Sequence, residues 1–561
     1  PSLIALGEYK YRRGYFEEAK KLLEKAIRNE HMYNLRYQDG EAEYLLGLVL
    51  DAMGETDKAY DVLYSAAWSG FTVPKAMSKL AAIDGRRKDY AHMMAHAVTA
   101  LESAARHPLA STYAALAQWK MGNTESAMAI LDKALRIDPL NDLAAYAKLL
   151  VEEKKPEELQ PTRRSDFGQI ALDIAYDLAD AGFITEALAL LKAVKNPTTP
   201  MVGYTAAYYA EMLGEDGSAL RVSAGLCPIL TAYPYRLDEI RVLKEAVKNE
   251  KDAEARNLLA CALYDKGHFA YATALWEEAH ALRPDNAVYA RNLAVACFSH
   301  MNRKEEAVRL MIEAMELNPK NDQLKLEYLY AATKLGISGE ERLDVIHKHP
   351  LHGKTCDDYA LEHAKAYCVA GRYEEALKVM LAQSFVPAEG GEIAITDLYQ
   401  TIMLHLGREK LAKGLYEEAL KDFSDGLQLP PNLHSGRWFD VAVAPLYYYQ
   451  ALTLEKLGRE REALAGYAKT LEHMLPAKSD LPYYYAEALR RLNRAVEARV
   501  LLSRFTAMLE EKLELPSIGW EDMISSFNPF VNNPQDQREG TAYYQLGMFQ
   551  KYAGNDDRAH E

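Results

Sequence analysis

Apolar residues along this chain recur at spacings of three and four, and no stretch shows the two-residue alternation of a half-buried strand. The run Arg256–Asp285 carries the pattern in its clearest form. Two amphipathic segments flank Gly267. Ala260 lies on the first, Ala272 and Ala279 lie on the second, and Pro284 ends it. Small side chains there let two antiparallel helices approach closely. Glycine takes a positive φ at the turn without a Cβ penalty, and proline cannot extend a helix. The unit predicts a helical hairpin.

Aligning on the second-helix alanine carries this unit along the chain. Turn residues fall at Gly14, Gly54, Gly122, Gly182, Gly214, Gly267, Asn302, Gly371, Gly414, Gly458, Asn493 and Gly554. Matching alanines include Ala19, Ala59, Ala127, Ala187, Ala307, Ala376, Ala419, Ala463 and Ala498. A weaker unit near Ala81 and Ala100 has Met93 where the alanine belongs, and another degenerate unit spans Tyr328–His347. The count comes to about thirteen to fifteen hairpins, at a period of roughly 34 residues. This spacing resembles the tetratricopeptide (TPR) repeat, which implies an all-α fold, a right-handed solenoid of α-α hairpins. In such arrays each unit packs mainly on its neighbours, so 561 residues need not divide into globular domains.

The periodicity breaks in a few places. Residues 1–152 read as an N-terminal sub-array, and the charged, proline-bearing stretch 153–166 as a loop or kink. A central sub-array follows over 167–382, with an irregular join at Leu226–Leu237. The segment 383–561 is a sub-array with insertions at Gln383–Thr396, Pro430–Pro445, His473–Pro482 and Leu513–Gly540. Insertions in a solenoid map to loops on one face, often the binding face. The chain begins at Pro1 and stops inside a repeat, so a longer protein is expected.

Composition narrows the function. Against 66 basic residues stand 81 acidic ones, a net charge of −15. Such a surface repels phosphate backbones, and Arg163-Arg164 and Arg490-Arg491 are only pairs, so no nucleic-acid partner is expected. No apolar run reaches the roughly 20 residues needed to cross a bilayer, so no membrane partner is expected either. Cys227, Cys261, Cys297, Cys356 and Cys368 are odd in number and form no CxxC pair. They read as free thiols of a reducing, cytoplasmic setting rather than as a disulfide framework or metal site. No nucleophile motif, phosphate loop or metal cluster stands out. No catalytic residue, metal or cofactor is therefore assigned.

Binding is the chemistry that remains. First helices line the concave groove of a solenoid, which places Glu254, Asn257, Tyr264, Tyr289, Asn292 and His300 there as candidate contacts for a protein segment or an adjacent domain. Asn257 and Asn292 lack neighbouring lysines, so a basic clamp for a C-terminal carboxylate is not expected. Tyrosine is abundant, 37 against 13 phenylalanines, and adjacent tyrosines on one helix should divide between core and rim. A second candidate site is the insertion holding Glu389, Gly390, Gly391 and Glu392, together with Arg437 and Trp438. Its carboxylates suit a cation, sugar hydroxyls or acid–base work, and the bland alternative is a loop capped by Thr396 or Asp397.

Four stretches carry a further resemblance: F-x-P-x-E-G-G-E at Phe385–Glu392, Gly414–Arg437, Tyr447–Gly458 and Tyr543–Ala559. Over roughly the last 300 residues the chain is similar to the C-terminal TPR half of large bacterial proteins. Those proteins carry an N-terminal galactose-mutarotase-like domain. Ala388 stands where that group commonly has tryptophan. The resemblance implies that any carbohydrate chemistry lies upstream of Pro1. Three functions stay open: an interaction scaffold, the accessory half of a carbohydrate-active enzyme, and self-association into a homo-oligomer.

Overall fold

The structure is a computed structural model. It describes residues 2–33, 39–159, 167–227, 232–386, 392–436, 443–472, 481–514, 530, 534–554 and 559. Among these the regular elements are helical, with no strand. The chain divides into two compact units, Pro1–Arg283 and Pro284–Glu561.

In the first unit α1 (Ser2–Arg12) pairs with α2 (Phe16–Tyr33), α3 (Glu41–Ala52) with α4 (Thr56–Ala66), α5 (Val73–Arg86) with α6 (Tyr90–Ser103), and α7 (Pro108–Lys120) with α8 (Thr124–Ile137). After α9 (Asp142–Val151) comes a short 3-10 turn, Pro156–Glu158. Then α10 (Phe167–Asp180) pairs with α11 (Ile184–Ala193) and α12 (Met201–Met212) with α13 (Ser218–Gly225). Helix α14 (Leu237–Ala246) packs between α12 and the last pair, α15 (Ala253–Asp265) and α16 (Phe269–Leu282).

The second unit pairs α17 (Ala287–Ser299) with α18 (Lys304–Leu317), α19 (Asp322–Leu335) with α20 (Gly339–Lys348), and α21 (Asp357–Val369) with α22 (Tyr373–Ala382). It continues with α23 (Glu392–Ala412) on α24 (Tyr416–Gly426), α25 (Val443–Lys456) on α26 (Glu460–Thr470), α27 (Leu481–Arg491) on α28 (Ala495–Glu514), and then α29 (Pro534–Tyr552).

The repeat chemistry is visible in each hairpin. Ala19, Ala59, Ala127, Ala187, Ala272, Ala307, Ala376, Ala419 and Ala498 are all completely buried. A larger side chain at such a contact would force the helices apart unless the facing residue leaves room, as Gly85 does opposite Met93. Met93 is equally buried, so its flexible thioether fits the contact that alanine makes elsewhere, and the weak third unit is a complete hairpin. The expected turn glycines have positive φ, and Asn302 (54°) and Asn493 (61°) replace glycine in the same conformation. Asparagine tolerates this region better than most residues.

Two expectations need correction. The insertions expected to run to Thr396 and Gly540 are shorter, because α23 starts at Glu392 and α29 at Pro534. Thr396 and Asp397 therefore lie inside α23 and do not cap it; the Thr396 hydroxyl donates to the Ile393 carbonyl at 3.1 Å. The apolar residues Ile393 and Ile395 keep the helical period going, so helix formation wins over the cap preference of threonine and aspartate.

The first unit returns on itself. His268 Nε2 donates to the Arg13 carbonyl at 2.7 Å, Arg13 Nη1 donates to the Lys266 carbonyl at 3.3 Å, and the Tyr15 ring stacks on His268 at 4.4 Å. Farther in, Lys79 and Arg86 of α5 lie between Asp51 of α3 and Asp180 of α10. Burial alone would raise the Asp51 carboxyl, but the two cations hold it below the usual carboxylate range. Nearby, burial pushes the Asp177 carboxyl up to about 6.

Candidate functional site

The six groove candidates divide between the two units. In the first, Glu254 and Asn257 are buried in α15, and Tyr264 is half-buried against Phe269 and Trp276. Asn257 donates to Glu254 Oε1 at 3.1 Å and accepts from Trp276 Nε1 at 3.0 Å. A buried indole N–H needs an acceptor, so Asn257 joins the two helices of its own hairpin. In the second unit Tyr289 is fully buried, and Asn292 is half-buried and accepts from Arg291 at 3.1 Å. His300 is exposed just beyond α17.

Adjacent tyrosines behave unevenly. Tyr209 is buried beside a half-buried Tyr208, and Tyr448 is buried between partly buried Tyr447 and Tyr449. Tyr543 and Tyr544 of α29 are both exposed.

In the loop candidate, Glu389, Gly390, Gly391, Arg437 and Trp438 lie outside the described residues, as does the side chain of Glu392. The segments leading into them are described, and they meet. The Phe385 amide donates to the Asn432 carbonyl at 2.9 Å, and the Asn432 side chain donates to the carbonyls of Met380 (2.9 Å) and Gln383 (2.8 Å). Ser384 Oγ lies 3.2 Å from His434 Nε2, and Asp357 accepts from the Val386 amide at 2.7 Å. Two insertions separated by a whole hairpin are thus pinned to one another, with Phe385 buried at the junction. Asn432 is the residue that sequence reasoning missed.

It also missed an apolar pocket of about 560 Å³ in the first unit. Glu24, Ile27 and Arg28 of α2 line it with Glu43 and Leu46 of α3, Val62 and Ser65 of α4, and Trp68. Its size is that of a small-ligand or side-chain anchor site. Trp68 lies in the turn after α4 and is 87% exposed, with Phe71 exposed beside it. The turn is held by the buried Thr72 hydroxyl, which donates to the Ala66 carbonyl at 2.5 Å and lies 3.1 Å from that of Asp39. Lys75 sits over the Phe71 ring at 5.1 Å and pairs with Glu41. The sequence signal was available: tryptophan and phenylalanine stand in a turn where the repeat needs no apolar residue.

Among the described residues no group of three or more His, Cys, Asp or Glu is arranged to hold a metal ion, and no helix is long and apolar enough to cross a membrane.

Residues 4–70 and 114–139 match the family described as tetratricopeptide repeat. Solved structures similar to the chain include yeast Tom70, at 14% identity over 87% of this chain and 99% of that one, with a TM-score of 0.25. The Cut9–Hcn1 hetero-tetramer of the APC/C is 12% identical over 89% and 92%, with a TM-score of 0.26. Naa15/Naa10 bound to HypK-THB is 15% identical over 96% and 99%, with a TM-score of 0.23. The two matched stretches carry tetratricopeptide repeats, and all-α hairpins continue through both compact units.

Proposed function

We propose that this chain is a protein-interaction scaffold on which a partner segment docks at the pocket between α2 and α4, with Trp68 as the anchor. The observation that carries this reading is a tryptophan held almost fully in solvent by a locked turn, next to a pocket walled by Ile27, Leu46 and Val62. Leaving so large an apolar surface in water is unfavourable, and tryptophan is over-represented among residues that dominate binding energy. Two carboxylates on the wall, Glu24 and Glu43, against the single guanidinium of Arg28 favour an apolar segment flanked by basic residues.

The test uses the intact protein and two labelled amphipathic helices, one with leucine and lysine faces and one with leucine and glutamate faces. Fluorescence anisotropy should show saturable binding of the basic peptide, weakened about tenfold or more in Trp68→Ala and in Val62→Asp. Equal binding by wild type and both variants removes the pocket from the reading. Sedimentation of the same samples separates peptide docking from self-association.

A second reading makes the chain the accessory half of a carbohydrate-active enzyme. It is supported by the hydrogen-bonded meeting of the segments that lead into Glu389–Glu392 and Arg437–Trp438. Unchanged turnover and sugar binding in full-length Glu389→Gln and Glu392→Gln would rule it out.

A further inference from the structure

Away from the docking pocket, and independent of it, α4, α5 and α6 bring together a chain of hydrogen bonds that has a chemical use. Tyr60 and Tyr64 stand one turn apart on α4, Asp84 lies on α5 and His96 on α6. Asp84 and His96 are buried, whereas Tyr64 is 39% exposed. A buried carboxylate must find donors. Asp84 has two, the Tyr60 hydroxyl at 2.9 Å and His96 Nδ1 at 2.6 Å. The far nitrogen of the same imidazole, Nε2, is bonded to the Tyr64 hydroxyl.

With Nδ1–H donating to the Asp84 carboxylate, a neutral imidazole presents a lone pair at Nε2, so the Tyr64 O–H donates to it. A nucleophile, a base and a carboxylate that orients the base are then in line. We propose that Tyr64 is a base-activated nucleophile, a covalent acceptor site for acyl or sulfonyl groups from activated donors, with His96 as its base and Asp84 as a positioning residue.

In the step, Tyr64 Oη attacks the electrophilic carbon or sulfur and the new Oη–C or Oη–S bond forms. The bond to the leaving group breaks, and its electron pair departs as fluoride or aryloxide. The phenol proton passes to His96 Nε2, and the Asp84 carboxylate stabilises the resulting imidazolium until solvent or the leaving group takes the proton. Tyr60 has the opposite role. Burial and its bond to Asp84 push its hydroxyl above the usual phenol range, so it stays a donor. Two further charged pairs lie close to this site. Arg87 lies over the Tyr60 ring at 4.5 Å and pairs with Asp57, and His92 pairs with Asp89 with its ring 6.3 Å from that of His96.

The experiment treats the full chain with an aryl sulfonyl fluoride at neutral pH and follows each tyrosine by peptide mass spectrometry. Tyr233 (81% exposed), Tyr543 and Tyr544 (both 61%) are internal references, each more open to reagent than Tyr64. Tyr64 should nevertheless be labelled about tenfold faster or more, since base assistance of about 100-fold or more outweighs its smaller exposure. His96→Gln should bring it to the reference rate or below. Asp84→Asn should slow it with the far-UV circular dichroism unchanged, Asp84→Glu should recover part of the rate, and Tyr60→Phe should change it less than about threefold, well short of a loss of base assistance. If His96→Gln does not fold, the wild-type ratio of Tyr64 to its references decides alone. Labelling of Tyr64 no faster than Tyr544, or indifferent to His96→Gln in a folded protein, overturns the proposal.

Discussion

Gly182→Ala should do more damage than Gly122→Ala, although both glycines sit at hairpin turns with nearly the same backbone, φ +83° and +85°. The shared cost is the left-handed conformation, about 1 kcal/mol for a residue with a Cβ. At Gly122 nothing lies within 4 Å of the new methyl group, so the cost ends there. At Gly182 the methyl would lie 2.8 Å from Arg86 Cα, 2.9 Å from the Gly85 carbonyl oxygen and 3.0 Å from the Arg86 amide nitrogen. All three are backbone atoms at the end of α5, so no side chain can swing away. Forced overpacking of this kind adds about 1–3 kcal/mol. The Lys79 and Arg86 contacts to Asp180 would be disturbed with it.

Native-state amide exchange on the intact chain is the suitable assay, because a repeat array need not unfold in one step. Relative to Gly122→Ala, the variant should speed exchange in the second half of α5 and in α10 by about tenfold or more, since 1.4 kcal/mol is a factor of ten. Equal effects of the two substitutions, or a change in α10 that leaves α5 protected, would mean that α5 and α10 do not touch in solution.

Two further outcomes are expected. Lys79→Met removes one of the two cations paired with the nearly buried Asp51 carboxylate and should cost about 3 kcal/mol, read as a lower melting temperature that Asp51→Asn partly restores. His363 is held down to about 4 by burial and by neighbouring His347. Its neutral form is the one the fold favours, so stability is intact above the unfolded value of about 6.5 and is lost as pH falls from there toward 4. Melting curves over that window should fall by about 1–2 kcal/mol more steeply for wild type than for His363→Phe, and parallel curves would contradict the assignment.

Much of the fold was legible because hairpin formation is local. Each turn residue and each helix-contact alanine answers to neighbours within one repeat, so Gly267, Ala272 and even the substitutes Asn302 and Met93 could be placed from spacing alone. Contacts between distant hairpins carry no such period. Nothing in the sequence links Arg13 with His268, Gly182 with Arg86, or Asn432 with Phe385. Each depends on how the intervening hairpins rotate against one another, from one hairpin between Phe385 and Asn432 to several between Arg13 and His268.

The functional candidates follow the same division. A repeat register names the first helix, but it does not say which of its faces a neighbouring helix covers. Asn257 is taken up by Trp276, and Tyr289 is fully buried. Trp68 could have been singled out, since an apolar residue in a turn departs from the pattern. The pocket beside it could not, because its walls come from three helices. The sequence by itself determined the all-α class, the hairpin unit, its turns and its helix contacts, since these interactions close within a few tens of residues. Tertiary structure alone decided which side chains face water and which distant polar groups meet. Burial and hydrogen bonds between helices depend on how neighbouring hairpins pack against one another, which the repeat spacing does not state, so the Asp84–His96–Tyr64 chain and the Trp68 pocket appear only there.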